Sequence, residues 1–248
     1  MKKYFVFSFV FFLVAVFAAS AKAAVTRSYV YLNWSKFKWQ GISVFSGQPA
    51  PTITWISQEE SIYVENQDDS YDDSADNWSD DLVGFVSTPP SKAEAATKSN
   101  VMKSEGKVYT SGYAYSEAKR WGKFKVSGSG LIVFSVPYTI VGNIYADPML
   151  EDAYLGSDIY LAVYCKSNSS RLSLSDVSFS KDYEDGDVGT WIDDGVSSVV
   201  LYFNDGEIGN FLASVDAYAT QSVVPIPSSI IILISGIGMI FIRRSYAG

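Results

Sequence analysis

Histidine is absent from all 248 residues, and cysteine occurs once. Without histidine there is no Ser/His/Asp or Cys/His nucleophile arrangement. His-containing zinc sites go with it, and one thiol cannot build a thiolate cage. Nor can a single cysteine close an intramolecular disulfide. A phosphate-binding loop is also missing: Ser127-Gly128-Ser129-Gly130 lacks the following Lys-Ser/Thr and helix. Positive charge is scarce where it would matter. Between residues 24 and 223, 14 basic residues face 27 acidic ones, a net charge of −13. Nucleic-acid backbone binding needs a basic surface, so that class is excluded.

What the middle does contain is aromatic and β-branched runs broken by Gly, Asn, Asp and Ser. Strands are expected at Tyr29–Trp34, Lys38–Phe45, Thr52–Ser57, Ser61–Val64, Lys107–Tyr115, Trp121–Val126, Gly130–Val136, Ile159–Tyr164, Leu172–Phe179, Ser198–Phe203 and Asn210–Thr220. Phe211, Ala213, Val215, Ala217 and Ala219 alternate with Ser214, Asp216 and Thr220, the mark of a half-buried antiparallel strand. The same alternation puts Cys165 on one face with Leu161 and Val163, as a buried small hydrophobe. Ser127–Gly130 and Asn204–Glu207 read as turns, the first as a hairpin turn. The helical candidate is Ser91–Met102, with Lys92/Ala96 and Glu94/Lys98 at helical spacing. Many short strands with glycine-rich turns predict a mainly β fold, an antiparallel β-sandwich of jelly-roll-like or related type. One body domain, residues 24–223, with a surface loop at 66–81 is the preferred division.

Two acidic stretches stand out. In Asp68–Asp81, seven of 14 residues are Asp, with Tyr71 and Trp78 among them. Asp182, Glu184, Asp185 and Asp187 surround Gly186 in a second acidic turn. Hard cations take clustered carboxylates, so Asp72, Asp73, Asp76, Asp182, Glu184, Asp185 and Asp187 are candidate Ca²⁺ ligands. Neither stretch follows the EF-hand register, and a solvated, self-repelling loop accounts for both. Flat aromatic rings can cover sugar rings. Of the six tryptophans, Trp78 inside the acidic stretch and Trp191 beside Asp193-Asp194-Gly195 are expected at the surface as candidate carbohydrate contacts. The other tryptophans are expected in the core or in cross-strand pairs.

The two ends differ in character from this acidic middle. Lys2 and Lys3 precede an apolar stretch of 16 residues, Tyr4–Ala19, and Ala21-Lys22-Ala23 offers small residues for cleavage after Ala23. That is the pattern of a secretory signal helix, residues 1–23, handled by the Sec machinery and signal peptidase. Val223 to Ile242 is 20 residues without a charge, followed by Arg243-Arg244. It is expected to form a C-terminal transmembrane helix, and the arginine pair favours a cytoplasmic end.

The tail, residues 224–248, resembles the sorting signal of bacterial PEP-CTERM proteins. It shows Val224-Pro225-Ile226-Pro227, an apolar run Ile230–Ile242 with Gly236 and Gly238, and the basic pair Arg243-Arg244. Ile226 stands where the family usually has Glu, although a Val-Pro-Leu-Pro variant is common there. The resemblance implies recognition by exosortase, a membrane-embedded cysteine protease. It also implies passage through the inner membrane of a Gram-negative bacterium to the cell surface or an exopolysaccharide matrix.

Three readings of function follow. The first is an exported structural protein of the cell surface or matrix, sorted by exosortase and without catalysis. The second is a carbohydrate-binding module, with or without Ca²⁺, in contact with exopolysaccharide. The third is a glycoside hydrolase, which needs only two carboxylates, although no pair stands out among so many.

Overall fold

A computed structural model describes residues 25–145, 150–165 and 168–223. Thirteen strands lie in these residues: β1 Val25–Asn33, β2 Lys38–Ile42, β3 Thr52–Asn66, β4 Ser70–Ala75, β5 Leu82–Thr88, β6 Ser91–Lys98, β7 Val101–Val108, β8 Gly112–Ser127, β9 Gly130–Tyr145, β10 Leu150–Cys165, β11 Asn168–Asp182, β12 Gly189–Phe203 and β13 Ile208–Val223. They form two antiparallel sheets. Sheet A runs β12-β9-β1-β7-β6-β5, with β2 also on β9, and sheet B runs β11-β10-β13-β8-β3-β4. The strand β9 is long enough to pair with β1 near its C-terminal end and with β2 near its N-terminal end.

The expected sandwich is present and jelly-roll-like in its two antiparallel sheets. The flanking helices of that expectation are not among the described residues, where the one helical element is a 3-10 turn, Trp34–Lys36. No helix there is long and apolar enough to cross a membrane. The predicted signal segment 1–23 and the tail 224–248 lie outside the described residues.

Period-2 burial builds the core. On β13, Phe211, Ala213, Val215, Ala217 and Ala219 are wholly buried, as their alternation predicts. Ile159, Leu161, Val163 and Cys165 line the inner face of β10. Each fully buried Leu, Ile or Phe stabilises the fold by roughly 1.5–3 kcal/mol relative to exposure. One continuous apolar cluster draws on both sheets, from Val30 on β1 to Ala219 on β13. Early and late strands therefore share a single interior.

Three local expectations are corrected. Ser91–Met102 is not a helix but β6 and the start of β7. Ser91, Ala93, Ala95 and Thr97 are buried while Lys92, Glu94 and Lys98 are half-exposed, so alternation prevails over the helix propensity of Ala, Glu and Lys. Residues 66–81 are only partly a loop, because Ser70–Ala75 pairs with β3 as an edge strand. Ser127–Gly130 is not a hairpin turn, since it carries the chain from β8 in sheet B to β9 in sheet A. Asn204–Glu207 likewise passes from β12 to β13. The two turns meet: Gly128 N–H donates to Asp205 Oδ1 at 2.7 Å, and Asp205 N–H to Ser129 Oγ at 2.9 Å. Gly128 and Gly206 hold φ of +82° and +77° there, a region that disfavours side chains.

Candidate functional site

The outward face of sheet B can be read as rows, because register fixes which side chains stand side by side. Tyr218 on β13 is opposite Tyr115 on β8, and Tyr115 is opposite Glu65 on β3. Tyr63 lies diagonally beyond, its ring 6.0 Å from that of Tyr115 and tilted by 52°. Tyr154 on β10 lies 6.0 Å from Tyr218 at 51°. Gly156 carries no side chain beside this ring; a Cβ there would sit 3.2 Å from the Tyr154 hydroxyl. Four tyrosines thus cross four neighbouring strands, β3, β8, β13 and β10. Three interstrand steps of about 4.8 Å make a strip of roughly 14 Å.

Hydrogen bonds brace one end of this strip. Glu65 accepts from Tyr113 Oη at 2.7 Å and from Tyr63 Oη at 2.8 Å. Those bonds hold the Glu65 carboxyl below the ordinary carboxylate range, the Tyr113 bond contributing most. In return Glu65 pushes the Tyr113 phenol up to about 12.

The next row is acidic. Asp158 on β10 stands opposite Asp216 on β13, and Asp216 stands opposite Glu117 on β8. Like charges directly opposed across strands repel. Burial, then the Glu117 carboxylate, pushes Asp216 up to about 7 against the pull of Ser214 and Lys119. Ser214 Oγ donates to Asp216 Oδ1 at 3.2 Å. Burial also raises the Tyr115 phenol, followed by the charges of Asp216 and Glu117.

A third row has Asp176, Tyr160, Ser214 and Lys119 on β11, β10, β13 and β8. The small Ser214 between Tyr160 and Lys119 leaves an open depression of about 440 Å³, floored by Ser214 and Leu212 and lined by the carboxylates of both rows. Beyond it stands an apolar row in which Leu212 is opposite both Ala162 and Trp121. Trp121 Nε1 donates to Glu59 Oε2 at 2.6 Å, which fixes the indole. The arrangement is an acidic, hydrogen-bonding trough between a tyrosine strip and a Trp121–Leu212 ridge.

The sequence-predicted site residues fall elsewhere. Trp78 is a plug: its ring meets Trp34, Trp55, Phe37 and Phe211 edge-on, and its Nε1 donates to the Glu59 and Trp121 carbonyls at 2.9 and 3.1 Å. Trp191 points inward from β12 onto a small cluster of Ile144, Ala153 and Leu155, with Lys181 Nζ 5.4 Å from its ring centre. Asp72 and Asp73 are neighbours on β4, so they point to opposite faces of the strand. Asp72 lies beside Tyr63 on the outer face, while Tyr71 Oη donates to Asp73 at 3.2 Å on the other. Asp76 is exposed in the turn after β4, and apart from them Asp182 accepts from the Glu184 backbone while Lys181 pairs with Asp187 at 3.2 Å. Glu184 and Asp185 are exposed in that same turn. Among the described residues no group of three Asp, Glu, His or Cys is placed to hold a metal ion. The alternating Tyr113, Tyr115, Glu117, Lys119 and Trp121 of β8 carried the signal for the trough, and its pairing across strands was the part not visible in sequence.

Comparison with known proteins adds little. No family model matches the chain, and no curated protein does. A structural similarity to a vicilin from Solanum melongena, described as holding different anionic ligands in structurally similar pockets, has 7% identity. It covers 84% of this chain and 77% of that one at a TM-score of 0.10, which carries no argument.

These findings correct the first reading of function. No family model supports an exosortase-sorted surface protein. No membrane-crossing helix occurs among the described residues, a statement that does not extend to β-barrels. The assignments of signal helix, transmembrane helix, inner-membrane stage and cell-surface destination rested on the two ends alone. Val224, Pro225, Ile226, Pro227, Gly236, Gly238, Arg243 and Arg244 lie outside the described residues. The described fold is a two-sheet β body, and the carbohydrate-contact alternative suits it better.

Proposed function

We propose that the outer face of sheet B binds carbohydrate and that the protein is a glycan-binding module without chemistry of its own. The observation that carries this reading is the four-tyrosine strip, Tyr63, Tyr115, Tyr218 and Tyr154, lying alongside the carboxylates of Glu117, Asp216 and Asp158. Sugar rings present apolar C–H faces and pairs of hydroxyls. Aromatic rings take the first, and carboxylates accept hydrogen bonds from the second. At each end of the strip the paired rings, Tyr63 with Tyr115 and Tyr218 with Tyr154, tilt by 52° and 51° instead of lying in one plane. That suits a single twisted polysaccharide chain more than a flat crystalline surface. The length of the strip accommodates a few pyranose units in line, and an extended polysaccharide is the partner class that fits.

The test is a glycan array followed by calorimetry on the full chain. Tyr115→Ala/Tyr218→Ala is expected to weaken binding by about tenfold or more, while Phe85→Ala on the opposite sheet leaves it unchanged. Equal binding by both variants, or no glycan bound at millimolar concentration, defeats the proposal. Release of reducing ends from the bound glycan would instead make the trough hydrolytic, with Asp216 as the proton donor between Glu117 and Asp158.

A further inference from the structure

The outward face of sheet A divides into two unlike halves. On β1, β7 and β6 it is charged and internally paired: Arg27 with Glu105 at 2.8 Å, and Glu94 with both Lys92 and Lys103. On β12, β9 and β2 it is nearly free of charge. Ile192, Val196 and Val200 are 65%, 62% and 45% exposed on β12. Register sets them beside Val141, Pro137 and Val133 of β9, and Tyr202, Leu131 and Ile42 continue the surface. The outward charges here are Asp194, held by the Thr139 hydroxyl, and Lys38 at the β2 end. A body of net charge −13 has left this area apolar.

Edge pairing is not the use of this surface. Among the described residues β12 ends sheet A, and its outer edge is partly capped by side chains from β11: Ser173 Oγ accepts from the Val200 N–H at 3.1 Å, and Arg171 donates to the Tyr202 carbonyl. What remains open is the face. Two strands of 15 and 16 residues at roughly 3.3 Å per residue run about 50 Å, and with the 5-residue β2 beside them the face covers roughly 550 Å². That is about two thirds of the roughly 800 Å² per partner of a standard interface.

We propose that this face joins two copies of the chain, sheet A to sheet A, about a twofold axis passing at Val196. The outward side chains of β12 support that axis. Rotation about Val196 sets Ile192 against Val200 of the second copy and Asp194 against Ser198. Apolar meets apolar, and Asp194, the one outward acidic residue of β12, meets a hydroxyl, not another carboxylate. A C2 contact must be self-complementary in this way, and aligned sheets pack face to face about 10 Å apart. Such a dimer leaves the two sheet B troughs open on opposite outer faces; the dimer itself does not depend on the carbohydrate reading.

Sedimentation equilibrium of the full chain in mild detergent tests this. The wild type is expected at twice the 27.3 kDa chain mass at micromolar concentration. Ile192→Asp alone and Val200→Lys alone are each expected to weaken association by about tenfold or more. Combining them restores it, because each new carboxylate then meets a new ammonium across the axis. Leu172→Lys/Leu174→Lys on sheet B leaves association intact. A wild type that stays at 27.3 kDa overturns the proposal. So does a double β12 variant no tighter than its parents, or association that ignores β12, as contacts through residues 224–248 would produce. Matching circular dichroism and melting profiles exclude misfolding as the cause.

Discussion

Arg120 on β8 and Glu60 on β3 are register partners whose side chains both lie entirely inside the sandwich, Nε donating to Oε2 at 2.7 Å. The guanidinium also donates to the Lys98 carbonyl at 3.0 Å and rests 4.7 Å from the Trp34 ring centre. Burial opposes both charges, raising the Glu60 carboxyl and lowering the Arg120 guanidinium against their mutual attraction. Such a pair specifies one packing at the end of the core more than it adds stability.

Removing one partner should therefore cost far more than removing both. Glu60→Gln or Arg120→Met alone is expected to lose about 3–5 kcal/mol in urea unfolding. Glu60→Leu/Arg120→Met should lose clearly less than the sum of the singles. Additive losses would show that the two side chains act independently.

Asp216 makes stability depend on pH. Its folded-state value of about 7 lies above the ordinary 3.8, so the folded protein binds more protons between those limits. The proton contributes fully below pH 3.8, and its contribution disappears as pH rises through 7. Wild-type stability should fall between pH 4 and pH 8 through this group. Asp216→Asn keeps the shape and removes the titration. It is expected to be more stable than wild type at pH 8 by about 1–3 kcal/mol, and similar at pH 4. Denaturant melts at both values measure it, and an advantage at pH 4 equal to that at pH 8 would rule titration out.

How much of this was legible in the sequence depends on whether two signals agreed. On β13 they do: Phe211, Ala213, Val215, Ala217 and Ala219 are apolar, alternate, and are all buried. On β6 they conflict, because Ser91, Ala93, Ala95 and Thr97 alternate but Ala, Glu and Lys favour helix. The short glycine turn at 127–130 carries no mark of whether its strands share a sheet, and the answer comes from the clasp with Asp205. The trough is harder still. Asp158, Asp216 and Glu117 are far apart in the chain, and only register makes them neighbours. Trp78 was misleading since its acidic neighbours are exposed while its own ring turns inward.

Trp78 is expected to matter for folding and not for ligand. Trp78→Ala empties the space among Trp34, Trp55 and Phe211 and strands two backbone carbonyls. A loss of about 3–5 kcal/mol in urea unfolding should follow. Trp78→Phe keeps most of the packing and should lose less. Glycan affinity measured below the unfolding range should be unchanged in Trp78→Phe, and a tenfold drop there would place this ring at the binding surface after all.

The aspartates of β4 find their use at the sheet edge. Among the described residues β4 pairs with β3 alone, and no described strand occupies its other edge. Asp72 and Asp73 place charge on both faces of that edge, and like charge repels a second copy that approaches in register. Asp72 touches no described cation and is fully at the surface, so Asp72→Val should change unfolding stability by no more than about 0.5 kcal/mol. Its effect should appear in assembly. Asp72→Val/Asp73→Val gives β4 the pattern Ser-Tyr-Val-Val-Ser-Ala, a β-prone uncharged segment. At equal concentration and temperature, the double variant is expected to scatter light and bind amyloid dye after a shorter lag than wild type. Asp72→Asn/Asp73→Asn, uncharged but weakly β-prone, should fall between them. Identical lag times in all three would mean that the acidic run does not protect this edge.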